Sequence, residues 1–248
     1  MVFIKVQDKI RKNNEVDSQL VKAAMRIDEL ILEKRGYERI LTTNQTQIEN
    51  LNNRIEKNND TIQKIGEELK NRLNKFDNID RFKVFRIYRD IRFSKDKTPF
   101  KTHFGLTWHR IKPKYRGGYY LHLAPNNESF IATGFWNPDK EDLKRLRKEF
   151  EIDADEFRAI IAEPRFKANW GPLMGNELKS SPRGFAKQHP NIDLIRKKQF
   201  IFKKGYTDKE VLSDQFLQEV IYSFMVIRPY FDYMSFVLTT NLNGESTL

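Results

Sequence analysis

Residues 104–135, FGLTWHRIKPKYRGGYYLHLAPNNESFIATGF, decide the fold of this chain. β-Branched and aromatic residues alternate with small or polar ones, and two turn-forming runs, KPKYRGG and APNNE, divide the stretch into three parts. The pattern predicts strands at 104–111, 118–123 and 129–135. Because short polar turns join antiparallel neighbours, the three strands are predicted to form a β-meander.

Two further strands are predicted outside this stretch, at 82–91 and in QFIFKKGY at 199–206. Along 82–91, Phe85, Ile87 and Ile91 share one face with Arg89, because side chains alternate across a strand. Arg89 is therefore expected to lie among apolar neighbours and to need a carboxylate or an anionic ligand.

The first third of the chain has helical periodicity. Residues 18–34 place Leu20, Ala24, Ile27 and Ile31 on one face, and Gly36 is expected to end that helix. A heptad follows, with apolar residues at Ile48, Leu51, Ile55, Ile62, Ile65, Leu69 and Phe76 and polar residues at Asn58 and Arg72. Such a stripe forms a coiled coil or helical hairpin that acts as a dimer arm, or it packs on the protein's own sheet.

Later helices are predicted after the Asn137-Pro138-Asp139 signal, near Asp153, and over 208–228 and 229–238, with a loop-rich stretch at 164–190. The predicted fold class is α+β, an antiparallel meander backed by helices. We predict a helical N-terminal region at 1–80, an α+β body at 81–240 and a disordered tail at 241–248.

Composition limits the function classes. The chain has 248 residues, 39% apolar, and no cysteine, which excludes disulfides, thiolate catalysis and zinc sites that need sulfur. Neither a signal peptide nor a membrane span is recognised, so a soluble cytoplasmic protein is expected. No phosphate-binding glycine loop or catalytic motif of a common class occurs, and no cofactor or metal is predicted.

Positive charge is concentrated in one segment. The net charge is +11, and residues 81–134 hold 12 Lys/Arg against 3 Asp/Glu, with three of the four histidines. This imbalance favours an anionic ligand or nucleic acid as partner. The alternative is that other elements place carboxylates beside these cations.

The densest chemistry lies in residues 89–101, RDIRFSKDKTPFK. Arg89 and Arg92 have the spacing to clamp a phosphate or carboxylate, and lysines surround them. Candidate ligand-binding residues are Arg89, Asp90, Arg92, Ser94, Lys95, Asp96, Lys97 and Lys101; Ser94, Asp96 and Lys97 are weak catalytic candidates. The alternative is a self-satisfied network that pins a connection between strands.

Residues outside this motif are weaker candidates. Trp108, Tyr119, Tyr120 and Trp136 interleave with cations, as in platforms that stack single-stranded bases, although aromatic residues on a meander are usually core. Arg183 lies in a turn that we expect to close over the motif. A three-histidine metal site at His103, His109 and His122 requires the strands to bring them together.

The run IYRDIRFSKDKTPFKTHFG, with YYLHLAP, GFWNP and ELKSSPRGFAKQHPNIDLIRKKQF, closely resembles the bacterial and fungal family called domain of unknown function 2461. The resemblance covers about residues 82–238 and carries over Arg89, Asp90, Arg92, Phe93, Ser94, Asp96, Lys97, Pro99, Phe100 and Lys101. It implies a compact cytoplasmic protein and no established reaction.

Three hypotheses follow from the residues. The first is a binding protein for a phosphate-rich or otherwise anionic ligand, including nucleic acid. The second is an enzyme on a small anionic substrate, with Asp96 as base. The third is an interaction protein that forms a homodimer through the 48–76 heptad.

Overall fold

The structure, a computed structural model, describes residues 2–248, with the side chains of residue 9 and of residues 11–248. Helices are α1 (Val2–Leu73), α2 (Lys140–Ile152), α3 (Asp155–Ala162), α4 (Pro164–Trp170), α5 (Ile192–Ile195), α6 (Asp208–Val211), α7 (Phe216–Val226) and α8 (Arg228–Thr239). Strands are β1 (Ile79–Val84), β2 (Phe104–Arg110), β3 (Gly118–Leu123), β4 (Ser129–Phe135) and β5 (Phe200–Tyr206). The chain divides into two compact units, Met1–Asp60 and Thr61–Leu248.

Helix α1 continues through Gly36, so the predicted end at that glycine is wrong. A glycine inside a helix costs about 1 kcal/mol relative to alanine but does not break the hydrogen-bond ladder. A Cβ added at Gly36 would meet no atom within 4 Å, which places the residue on an open surface of the helix. The helical hairpin considered for this region is therefore not formed.

The last turns of α1 belong to the core of the unit Thr61–Leu248. Ile62 and Leu69 are buried, and Ile65 packs beside them. Trp108 of β2 donates a hydrogen bond from Nε1 to the Gly66 carbonyl at 3.0 Å, and the Phe82 ring packs so close to Gly66 that a larger residue would have no room. This half of the predicted heptad packs on the protein's own sheet, whereas Ile48 and Leu51, in the other unit, are exposed.

The five strands form one antiparallel sheet in the order β1-β2-β3-β4-β5, which confirms the predicted meander. Its register pairs Leu106 with Leu121 and Leu121 with Ile131, so these side chains share one face and form the core with the helices. One boundary is wrong: β1 ends at Val84, not at residue 91. Beyond Val84 one further hydrogen bond, from the Phe85 amide to the Gly105 carbonyl at 2.9 Å, joins the chain to β2 before regular pairing ends.

Helices cover only the face of the sheet that carries Leu106 and Leu121. Helix α2 begins as predicted, because the Asp139 side chain accepts a hydrogen bond from the Asp142 amide at 2.8 Å. The stretch predicted as loop at 164–190 contains α4, capped by Glu163, and Trp170 of α4 is buried against α7. On the sheet's other face, the side chains of Tyr120, His122 and Phe130 are only partly buried.

Residues 241–248, expected as a disordered tail, form a turn in the structure. The Thr247 amide donates to the Thr239 carbonyl at 2.9 Å, and Asn241 and Glu245 bond to each other. Within the described chain, no helix is both long and apolar enough to cross a membrane.

Candidate functional site

The motif expected to bind an anion forms an irregular hairpin, residues 85–103, between β1 and β2. The Arg89 amide donates to the Pro99 carbonyl at 2.9 Å, and the Lys101 amide donates to the Ile87 carbonyl at 2.7 Å. The rings of Tyr88 and Phe100 lie 5.3 Å apart across it. We call this segment the charged hairpin.

Its arginines pair with its own carboxylates. Arg89 bonds to Asp96, and Arg92 binds both oxygens of Asp90 at 2.9 and 2.6 Å. Hydrogen bonds from Thr98, together with Arg89, hold the pKa of the Asp96 carboxyl well below its usual range. Both arginines of the expected clamp thus have carboxylate partners within the hairpin, and Arg92 is 76% exposed. Asp96 is poorly suited to accept a proton at neutral pH.

The remaining candidates in the hairpin also bond locally. Lys97 donates to the Ile91 carbonyl at 2.9 Å, and Lys101 donates to the Arg86 carbonyl at 3.0 Å. Ser94 accepts a long hydrogen bond from Arg89 at 3.5 Å, and Lys95 is exposed. These contacts correspond to the self-satisfied network considered as the alternative to an anion clamp.

The Arg183 turn lies elsewhere. Ser181 donates to the Phe185 carbonyl at 2.7 Å, and Lys148 of α2 lies 5.0 Å from the Phe185 ring centroid. In the part of the chain that the structure describes, no recorded contact joins this turn to the charged hairpin.

Two arginines of the basic segment are neutralised by carboxylates from other elements. Arg110 is fully buried and bonds to Asp77 at 3.0 Å and to Asp232 at 3.3 Å. Arg116 bonds to Asp142 of α2. Burial raises the pKa of Asp142 although Arg116 opposes the shift. The positive charge of residues 81–134 is thus partly neutralised by carboxylates from other elements, which was the alternative to an anionic partner.

The face of the sheet opposite the helices carries three rows of side chains. Residues that are paired across neighbouring strands have their side chains on the same face. The strand register therefore shows which residues form each row. The rows are Arg81, His109, Gly118, Gly134 and Ile201; Lys83, Thr107, Tyr120, Ala132 and Lys203; and Phe85, Gly105, His122, Phe130 and Gly205. We call this surface the open face; none of these positions in the described strands is acidic.

An aromatic cluster occupies the centre of the open face. The rings of His122 and Phe130 stack with centroids 4.6 Å apart, and His103 lies 4.2 Å from His122. The Tyr120 hydroxyl is hydrogen bonded to His122 Nδ1 at 3.1 Å. Lys203 lies 3.9 Å from the Phe130 ring centroid, a cation–π contact.

The histidines of this cluster favour the neutral form. Burial lowers the pKa of His103, and Lys101 lowers it further. Burial also lowers the pKa of His122, with contributions from His103 and Lys203. Besides burial, Lys101 and Lys203 thus disfavour a positive charge on these rings, and a bound anion would have the opposite effect.

A cleft of about 720 Å³ opens on this surface. Tyr120, His122 and Phe130 line it on the sheet, and the exposed indole of Trp136 lines it beyond the end of β4. The Arg116–Asp142 pair forms part of its wall. A cleft of this size with apolar walls and a few polar groups is typical of a ligand site.

The metal alternative receives no support from the geometry. His103 and His122 come together, but His109 lies further along β2, opposite Gly118. Among the residues that the structure describes, no group of three histidines or carboxylates has the arrangement to hold a metal ion.

Sequence reasoning identified Trp136 and missed most of the open face. Of its stacking candidates, Trp108 and Tyr119 are buried in the core, whereas Tyr120 and Trp136 line the cleft. The missed residues are Phe130 and Lys203, and His122 was considered only as a metal ligand. The available signal was alternation: in YYLHL, the residues that share a face with Tyr120 are polar or aromatic, and those that share a face with Tyr119 are leucines.

Comparison with curated proteins and with solved structures gives no match. The family model described as "Conserved hypothetical protein (DUF2461)" matches residues 32–233, most of the chain. The match begins within α1, well before the residues on which the sequence resemblance rested. The chain therefore belongs to the family of conserved hypothetical proteins called domain of unknown function 2461.

Proposed function

We propose that this protein binds single-stranded nucleic acid on the open face of its sheet. The observation that carries the proposal is a cluster of partly exposed aromatic side chains, Tyr120, His122 and Phe130, on a face with cations at both margins. Lys83 on β1 and Lys203 on β5 lie at opposite ends of the row that contains Tyr120. Proteins that bind single strands combine aromatic stacking surfaces with cations that follow the phosphates.

The aromatic residues favour a single strand over a duplex. Base faces in a duplex are covered by neighbouring bases, so aromatic side chains reach them only in single strands, loops or ends. Trp136 is 68% exposed at the edge of the cleft, where a planar ring is accessible for stacking.

The cations of the open face are available to phosphates. Within the described chain, Arg81, Lys83 and Lys203 have no ion-pair partner, in contrast to Arg89 and Arg92. Lys112, on the rim of the cleft, adds a further charge. Each lysine or arginine that neutralises a phosphate releases counterions, so affinity should fall steeply with salt.

The enzyme hypothesis is less well supported by the geometry. Its proposed base, Asp96, lies in the charged hairpin, accepts hydrogen bonds from Thr98 and pairs with Arg89. Ser94 and Lys97 bond within the same hairpin. None of these three residues lines the cleft, which lies on the open face.

Fluorescence anisotropy with labelled oligothymidylate and with duplex DNA, each across a salt series, tests the proposal. We expect tighter binding of the single strand. The Lys83→Gln, Lys203→Gln double variant should weaken affinity about tenfold and lower the log–log salt slope by about 2. A competing mononucleotide distinguishes a small-ligand site, because it would displace the oligonucleotide completely at low concentration.

The matched control removes two exposed charges from the charged hairpin, Arg92→Gln with Lys95→Gln. It has the same net charge as the open-face variant and should bind within about twofold of wild type. Equal losses in both variants would mean that only net charge matters. Absence of wild-type binding at low salt would reject the proposal.

A further inference from the structure

The unit Met1–Asp60 consists of one helical segment with a large exposed apolar surface. Among its exposed large apolar residues, the exposed fraction ranges from 43% at Ile31 to 71% at Tyr37, and Ile55 is partly buried. An isolated helix is marginally stable in water, and in proteins most helical stability comes from packing an apolar face. The segment therefore has the composition of a helix with a partner.

Continuity through Gly36 puts the whole segment in one heptad register. Stepping back by sevens from Ile55 gives position a as Ile55, Ile48, Leu41, Lys34, Ile27 and Leu20. Position d is then Leu51, Asn44, Tyr37, Leu30, Ala23 and Val16. Gly36 is at position c, facing away from the a/d seam, where a glycine removes no seam contact.

The same register marks where the seam ends. Ile62 and Leu69 continue position a, and both are buried in the core of Thr61–Leu248. Ile48 and Leu51 are exposed. The stripe available to a partner therefore comprises residues 16–55, a length of roughly 60 Å at 1.5 Å per residue.

We propose that residues 16–55 bind a second copy of this chain as a parallel, in-register, two-stranded coiled coil. A seven-residue apolar repeat, interrupted by Lys34 and Asn44, matches the 3.5-residue period of a supercoiled pair. Isoleucine at position a with leucine at the following position d, as in Ile27 with Leu30 and Ile48 with Leu51, favours two strands. A second copy supplies a seam of identical pattern, which an unrelated partner would have to match.

Polar seam residues favour the parallel, in-register arrangement. There, Asn44 faces Asn44 of the other copy, and the two amides can bond to each other. A shift of one heptad would place Asn44 against Tyr37 or Leu51 and leave its amide unsatisfied. Lys34 lies 3.7 Å from Glu38 in its own helix, so its ammonium has a partner outside the seam.

Sedimentation equilibrium on the full chain at micromolar concentration tests the dimer. Wild type should have twice the mass of the 29.6 kDa chain. Leu30→Glu, at position d, should give a monomer, whereas Leu32→Glu, at position f, should remain a dimer. Both leucines are exposed. Comparison of the two variants therefore distinguishes the effect of disrupting the a/d seam from the effect of losing an exposed apolar side chain. A wild-type monomer, or identical behaviour of the two variants, would overturn the proposal.

Disulfide formation tests orientation and register. Since the chain has no cysteine, a single introduced cysteine can only link two copies. Asn44→Cys should cross-link efficiently under mild oxidation, because equivalent d positions face each other in a parallel, in-register pair. Thr43→Cys, at position c, is the control and should not. A dimer in which Asn44→Cys fails to cross-link would reject the parallel, in-register arrangement.

Discussion

The charged hairpin and most of the open face derive from the basic segment 81–134 but differ in how their charges are paired. In the hairpin, Arg89 and Arg92 pair with Asp96 and Asp90 a few residues away. On the open face, Lys83 and Lys203 come from strands far apart in sequence, and no carboxylate of the described face opposes them. A high density of charged residues along the sequence therefore does not ensure unpaired charge on the folded surface. Neighbouring side chains of opposite charge neutralise each other.

The largest effect that we expect at the open face is the loss of base stacking on Trp136. Trp136→Ala should weaken oligothymidylate binding about tenfold, because loss of one base–aromatic stack costs roughly 1–3 kcal/mol. Phe236→Ala is the control: it removes an exposed aromatic side chain from α8, on the helical side of the sheet. Anisotropy titrations of both variants measure the difference; equal affinities would remove Trp136 from the site.

A matched pair of carboxylate substitutions compares the cleft directly with the hairpin. Asp142→Asn should free Arg116 for a phosphate and tighten binding about fivefold, as one added charge-assisted contact would. Asp96→Asn frees Arg89 in the hairpin and should change affinity by less than about twofold. Both variants gain one positive charge, so equal tightening by the two would indicate that the cleft has no special role.

The smallest expected effect is a pH dependence of about twofold to threefold. Burial and nearby cations lower the pKa of His103 and His122, so both are neutral at pH 7. A bound phosphate favours the imidazolium form, so binding takes up protons and must tighten as pH falls below 7. Anisotropy with oligothymidylate from pH 7.5 to 5.5 measures it, since thymine does not titrate there.

The control for this effect is the His103→Gln, His122→Gln double variant. It keeps polar side chains on the open face and removes both titrating rings. Its affinity should be nearly independent of pH over the same range. An unchanged slope in this variant would assign the titration to groups outside the aromatic cluster.

Sequence patterns were most reliable where the signal is local. The strands around the KPKYRGG and APNNE turns, and the α2 start at Asp139, agree with the structure. The error at Gly36 arose because glycine lowers helix stability without forbidding a helix. The missed helix α4 begins at Pro164, where Glu163 caps it; the prolines and glycines of this stretch were interpreted as loop.

The candidate site was only partly accessible to sequence analysis. Trp136 was a candidate because aromatic residues interleave with cations in that part of the sequence, whereas Phe130 and Lys203 were not considered because each lies in an ordinary strand pattern. Their proximity, 3.9 Å from the ammonium to the ring centroid, depends on the pairing of β4 with β5 across about seventy residues of chain.

The sequence by itself determined the alternation of side chains along each strand, which places Tyr119 and Tyr120 on opposite faces of the sheet. It also determined the seven-residue repeat of α1, because both periods are properties of the local backbone. Only the tertiary structure decided which face became the core, since α7 and α8 cover Tyr119 and leave Tyr120 lining the cleft. It likewise decided which cations are neutralised, because the carboxylates that meet Arg110 and Arg116 come from distant elements.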